Sequence, residues 1–441
     1  MKYFRIYCYY FAAALQQPFG PSVIVLVSNE QFRCSMRKTG SFWTQRRKWG
    51  KLVQAAARIR PAAFNDGALS SHLREIWNFG SNPGALRMFI HLPPQVSADR
   101  ALVVVLHGCT QSAAGYDLGA GWSTLADRFG FVLLLPEQQR SNNRNGCFNW
   151  FQAGDTKRGH GEACSIRQMV DKMVSDHGIN PARVFVTGLS AGGAMTSVML
   201  ATYPDVFAGG AIVAGLPYGA ATNVQQAFET MFQCPPRPAQ VWGDLVRGAS
   251  PHNGPWPRVS VWHGGADATV IPSNAREIVK QWTDVHGLPV APTAQAIVDG
   301  YPRQVWVNSD GDELIESYTI TNMAHGTPLA TGGADHECGA AGPFLLEVGI
   351  SSSYHIAKFF GLTVASPRQV APKQSEIMVA GKRPQVESPA AALPQPHVLE
   401  GEVLDSELDV RPERRQIPPP PIDIGAVITK ALKAAGLMKG S

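Results

Sequence analysis

The chain has 441 residues, 44% hydrophobic, 17% charged and 9% aromatic, which suits one large domain with appendages or two smaller ones. Its 43 glycines follow no G-X-Y period and no run of 18 apolar residues occurs, which excludes collagen and argues against a transmembrane helix. Residues 1–60 carry eleven Lys and Arg against Glu30 alone, so a whole-chain charge of +5 leaves −5 on the rest, and the basic character belongs to a leader rather than to a nucleic-acid-binding body.

Within that leader, Lys2 and Arg5 precede an apolar stretch, Ile6–Leu15, in the order of an export signal. Cleavage at Ala12-Ala13-Ala14 would leave too short an apolar core, and Met36 opens a basic segment that resembles an ordinary N-terminus. Residues 1–35 therefore read either as an over-extended start or as a weak export signal. The expected leader covers 1–74 and is partly disordered.

From Pro83 onward, short apolar runs alternate with amphipathic ones. Ala85–Leu92, Ala101–Leu106, Phe131–Leu135, Arg183–Thr187, Gly209–Ala214 and Arg258–Trp262 read as strands, most of them buried on both faces. Ser123–Phe129, Ser165–His177, Ala191–Tyr203 and Ser273–His286 read as helices between them. Tyr301–Val307 and Glu313–Thr321 flank Asn308-Ser309-Asp310-Gly311, a hairpin signal, and a last helix is expected over Phe344–Phe360. This is the pattern of one α/β domain, residues 75–362, with a mostly parallel central sheet and helices on both faces.

Residues 363–441 hold eleven of the 33 prolines, so 363–420 is expected to be a disordered linker. Within 421–441, Ile424, Val427, Ile428, Ala431, Leu432 and Ala435 recur at helical spacing, which predicts a short amphipathic helix. That helix either folds back on the main domain or contacts a partner or hydrophobic surface. The seven cysteines form no CxxC and match no zinc spacing, and the serine chemistry described next requires neither metal nor other cofactor.

The chemistry concentrates at Gly188-Leu189-Ser190-Ala191-Gly192, between a buried strand and a helical run. A serine at such a tight turn is pushed out at the sheet's C-terminal edge, and glycines flank it because a Cβ would strike neighbouring backbone. A serine hydroxyl needs a base, and the base an orienting carboxylate, in the chain order Ser, acid, His. Asp267, just past the strand Arg258–Trp262, and His325, just past Glu313–Thr321, stand at the required edge. Asp244 and Asp284 rival the acid; His286, His336 and His355 rival the base, with His336 the serious competitor. Backbone N–H groups of Ala191 and of Cys109, in the loop after Ala101–Leu106, are the candidate oxyanion donors.

Five separated blocks then resemble one family. They are His107-Gly108-Cys109-Thr110-Gln111, Gly146–Phe151 with Arg158–Glu162, Gly188–Gly193, Ala324–Pro328 and Gly342-Pro343-Phe344. Together, over about residues 75–362, they resemble the polyhydroxybutyrate (PHB) depolymerase family of esterases. The resemblance implies an α/β-hydrolase fold and hydrolysis of short 3-hydroxyacid esters. Feruloyl or acetylxylan esterase activity is the alternative on the same fold, and a non-catalytic granule-binding protein the reading from another class. It further implies Ser190 as nucleophile, Asp267 as acid, His325 as base, Cys109 and Ala191 as oxyanion donors, and Asn149 and Trp150 near the acyl site. Trp150 reads equally as a structural residue beneath a loop. Cys109 and Cys147 both fall on mouth loops and are candidates to pair. The family suggests an extracellular or periplasmic location, while the unclear signal keeps a cytoplasmic one open. No aromatic residue follows Phe360, so the tail lacks the usual anchor for crystalline polymer.

Overall fold

The structure, a computed structural model, describes residues 72–363. The expected linker and amphipathic helix, and nearly all of the expected leader, lie outside the described residues.

Ten strands form one sheet in the order β1-β2-β4-β3-β5-β6-β7-β10-β9-β8. They are β1 (Arg74–Ile76), β2 (Arg87–His91), β3 (Leu102–Leu106), β4 (Val132–Glu137), β5 (Val184–Leu189), β6 (Gly209–Val213), β7 (Arg258–Gly264), β8 (Ala294–Val298), β9 (Tyr301–Val307) and β10 (Glu313–Ile320). The six central strands, β4 through β10 in that order, run parallel. The pairs β1–β2, β2–β4, β10–β9 and β9–β8 are antiparallel, so both edges are.

Strand periodicity divides the interior into two layers. In β3, Leu102, Val104 and Leu106 enter one core and Val103 and Val105 the other, all almost completely buried. The first core is filled by α3 (Gly161–His177), α4 (Ala191–Thr202) and α7 (Ser273–Val285). The second is filled by α1 (Ala113–Ala120), α2 (Trp122–Phe129) and α8 (Ser352–Phe359). Helices on both faces are what a parallel sheet requires, because its strands have no polar side to show to water. Helices α5 (Val224–Phe232) and α6 (Ala239–Arg247) lie in the long connection from β6 to β7. Among the described residues, no helix is long and apolar enough to cross a membrane.

Three local results bear on the sequence reading. The β9–β10 hairpin forms: Asn308 Oδ1 accepts the N–H groups of Asp310 and Asp312, and Gly311 sits at φ +91°. The expected helix over Phe344–Phe360 does not. Leu345–Glu347 is instead a strand, β12, parallel to β11 (Thr327–Leu329), and only Ser352–Phe359 is helical. Phe344 and Gly349 both take positive φ, which a helix cannot accommodate, and Ser351 caps the shorter helix by accepting from Tyr354 N–H. Finally, α3 begins at Gly161, one turn before the expected Ser165, and places Glu162 in its first turn.

Candidate active site

Strand β5 ends at Leu189 and α4 starts at Ala191, so Ser190 alone makes the turn, at φ 58° and ψ −115°. A non-glycine residue holds such a conformation only when its surroundings over-determine it. They do. Ser190 N–H donates to Val213 O on β6 at 2.9 Å, and Ser190 O accepts Ala194 N–H at 2.8 Å. A Cβ on Gly188 would lie 2.5 Å from Gly192 backbone and 2.8 Å from Leu106 O. One on Gly192 would strike Leu106 O and lie 2.6 Å from His107 O. The glycines thus let β3, the turn and α4 approach more closely than side chains permit.

Asp267 leaves β7 and His325 leaves β10, two paired parallel strands. Their loops are joined by Gly265 N–H to Ile320 O at 2.8 Å and Ala266 N–H to Met323 O at 3.0 Å. His325 Nδ1 lies 2.6 Å from Asp267 Oδ2, and His325 Nε2 lies 2.9 Å from Ser190 Oγ. With a carboxylate on one side, Nδ1 carries the proton and donates, leaving the Nε2 lone pair to accept from the serine hydroxyl. Asp267 Oδ1 accepts Thr269 N–H at 2.8 Å and Val270 N–H at 2.9 Å. Burial alone would raise this carboxyl. The adjoining imidazoles of His325 and His263 outweigh that and hold it well below the usual carboxylate range. The rivals are occupied elsewhere: Asp244 and Asp284 bind Arg247, His286 meets Pro257 O, His355 meets Asp299, and His336 packs edge-on to Tyr354.

The loop after β3 starts against the serine turn, where a Cβ on Gly192 would lie 2.6 Å from His107 O. Gly108 N–H donates to Gln111 Oε1 at 2.8 Å, Gln111 N–H to Gly108 O at 3.3 Å, and Thr110 N–H to Asn145 O at 2.7 Å. Of the four N–H groups from Gly108 to Gln111, only that of Cys109 has no acceptor among the described residues. The Ala191 N–H is the first of α4 and has no partner within the helix. Cys109 is disulfide-bonded to Cys147. His107 is buried and neutral: burial depresses its pKa, its Nε2 accepts Gln138 N–H, and its Nδ1 donates to Gly108 O.

Glu162 is the hub of the mouth loop, a role not read from the sequence. Its carboxyl accepts Asn149 N–H at 2.8 Å, Asn149 Nδ2 at 2.7 Å and Gln138 Nε2. Burial, with Asp155 adding to it, pushes its pKa up to about 8 against the pull of those donors. Asn149 also accepts Asn143 Nδ2 at 3.0 Å, so its amide is engaged on both sides within the loop. Trp150 is 8% exposed and packs edge-on to Phe151 in the first core. The structure thus gives both residues a clear part in bracing the loop. Among the described residues, no cluster of three or more His, Cys, Asp and Glu is arranged to hold a metal ion.

Comparison with known proteins agrees with this architecture. The family described as Esterase PHB depolymerase matches residues 86–301. A poly(3-hydroxyalkanoate) depolymerase C of Paucimonas lemoignei is 50% identical over 291 residues, 66% of this chain and 70% of that protein. A feruloyl esterase B of Talaromyces stipitatus is 31% identical over 286 residues, 63% of this chain and 77% of that protein. The solved structure of an acetyl xylan esterase from Aspergillus awamori superposes with a TM-score of 0.56 at 25% identity, covering 66% of this chain and 99% of that one. The chain belongs to the PHB depolymerase family of esterases, carboxylic ester hydrolases of the α/β-hydrolase fold.

Proposed function

We propose that this protein hydrolyses oligomers or polymers of short-chain 3-hydroxyacids, 3-hydroxybutyrate foremost, through an acyl-enzyme on Ser190. The observation that carries the mechanism is the unbroken chain from Ser190 Oγ through His325 to Asp267. The substrate class rests on the 50% identity to a poly(3-hydroxyalkanoate) depolymerase. Catalysis is assigned to residues 75–362.

Ser190 Oγ attacks the ester carbonyl while His325 Nε2 takes its proton, and the N–H groups of Cys109 and Ala191 receive the developing oxyanion. His325 returns that proton to the departing alkoxide, which leaves as the alcohol. Water then attacks the acyl-enzyme, giving a proton to His325, and the carboxylic acid leaves as Ser190 regains its own. Asp267, kept ionised, holds the imidazole in the tautomer this sequence needs and offsets its charge once protonated. The Ser190–His325 transfer runs between atoms already 2.9 Å apart.

Relatives named for feruloyl and acetylxylan esters support a second reading, in which the same machinery serves plant-wall esters. Release of 3-hydroxybutyrate from a soluble trimer, run beside methyl ferulate and a Ser190→Ala variant, separates the two. Fast, Ser190-dependent trimer cleavage with little ferulate turnover is expected; an intact trimer with ferulate turned over moves the substrate to plant-wall esters. Retention of more than about a tenth of wild-type kcat by Ser190→Ala contradicts the mechanism.

The Cys109–Cys147 bond supports a location in an oxidising compartment, extracellular or periplasmic. The helical spacing within 421–441 supports contact with a partner or hydrophobic surface. Deleting 363–441 tests this by its effect on co-sedimentation with polymer granules.

A further inference from the structure

His263, the penultimate residue of β7, is a second imidazole at the acid of the site. Its side chain is 3% exposed, and its Nε2 lies 2.7 Å from Val270 O and 3.4 Å from Asp267 Oδ2. Both neighbours are acceptors, so Nε2 bears the proton and shares it between them. Its Nδ1 is buried with no hydrogen-bond partner among the described residues. The ring therefore meets its polar neighbours through Nε2 alone, as a donor. The ionised group facing it is Asp267, with His325 across that same carboxylate on the β10 side.

The loop from 263 to 270 therefore closes on itself twice. Val270 N–H donates to Asp267 Oδ1 while Val270 O accepts from His263, and His263 also approaches Asp267 Oδ2. Asp267 has its Oδ1 satisfied by two backbone N–H groups and its Oδ2 shared by two imidazoles, one of which acts on Ser190.

We propose that His263 is a positioning residue for the acid–base pair: its Nε2–H fixes the Asp267 carboxylate against His325 and moderates the carboxylate's hold on the His325 proton. This rests on the Ser190–His325–Asp267 reading above. A donor at the Nε2 position should suffice, and a glutamine amide reaches that position while a leucine offers none.

The test is the pH profile of kcat/KM on the soluble 3-hydroxybutyrate trimer for wild type, His263→Leu and His263→Gln, between about pH 5 and 9. Active enzyme is counted by titration with a nitrophenyl phosphate ester, and folding is followed by thermal melting. With the second donor gone, Asp267 pulls harder on the His325 proton, so the acid limb of His263→Leu should move up by roughly half a pH unit. Its kcat/KM should fall about tenfold, and His263→Gln should recover both. An unmoved limb in His263→Leu, or a His263→Gln as impaired as the leucine variant, overturns the proposal. If His263→Leu does not fold, His263→Gln decides: wild-type rate and limb support the donor role, and a displaced limb or lowered rate overturns it. A wild type silent on every ester fails the functional reading itself, whereas an active wild type with unmoved variants fails this inference alone.

Discussion

Ser190 and Cys109 follow neighbouring strands, β5 and β3, yet their turns are held by opposite means. The serine turn is shaped by missing atoms: Gly188 and Gly192 let three backbone segments touch, and carbonyl contacts leave no room for a Cβ. The Cys109 loop is shaped by added atoms: a disulfide to Cys147, the Gln111 amide, and a mouth loop gathered on Glu162. The difference predicts that the first region is broken by adding a methyl group and the second by removing a bond. It also explains why the two regions should differ in what stress they tolerate.

The largest effect should come from Gly192→Ala. Its methyl must push against Leu106 O and His107 O, which are backbone atoms in the sheet edge and cannot rotate away. We expect a loss of about 3 kcal/mol of stability, and of ester hydrolysis, read by denaturant melting and trimer turnover. A variant with wild-type stability and rate would break the comparison at its steric end.

Replacing both Cys109 and Cys147 by serine, or reducing the bond, tests the other end. The Cys109 N–H survives the substitution but loses its tether, so kcat should fall about tenfold with KM little changed. Stability should drop by about 2–4 kcal/mol. Unchanged kcat in the reduced enzyme would mean that the mouth loop holds Cys109 without the disulfide.

Glu162 sharpens the contrast through pH. Its folded pKa is raised from 4.5 to about 8, so between those values the folded state binds more protons than the unfolded one. The stability associated with this group is full below pH 4.5 and is lost as pH rises toward 8. Glu162→Gln should therefore flatten the decline of Tm with pH across that window; parallel wild-type and variant curves would contradict the burial argument. The smallest effect belongs to Arg158, whose two-pronged pairing with Asp205 is 35% and 41% exposed. Arg158→Ala should cost at most about 1 kcal/mol in melting experiments and leave the trimer rate unchanged.

How much of this was legible in the sequence follows the same division. The strands announce themselves as continuous apolar runs, and the serine turn as small residues between a strand and a helix, because both are local patterns. The Asn308 hairpin is legible for the same reason. Glu162 is not, since its partners Gln138 and Asn149 are 24 and 13 residues away and meet it only once α3 docks. His263 is hidden because its closest partner is a backbone carbonyl, which leaves no mark in side-chain spacing. Helix α1 escapes because its eight residues include two glycines, and the final helix is overdrawn because Leu345 and Leu346 fit a helical period while Phe344 and Gly349 forbid it.

The central claim is that Ser190 is the nucleophile and that His325 activates it. Treating the folded protein with diethyl 4-nitrophenyl phosphate and mapping the adduct by peptide mass spectrometry tests this most directly. The account predicts one diethylphosphoryl group on the peptide bearing Ser190, none on Ser190→Ala, and labelling of His325→Ala slowed by orders of magnitude. Modification at another serine, or labelling at Ser190 that proceeds equally fast without His325, would contradict it.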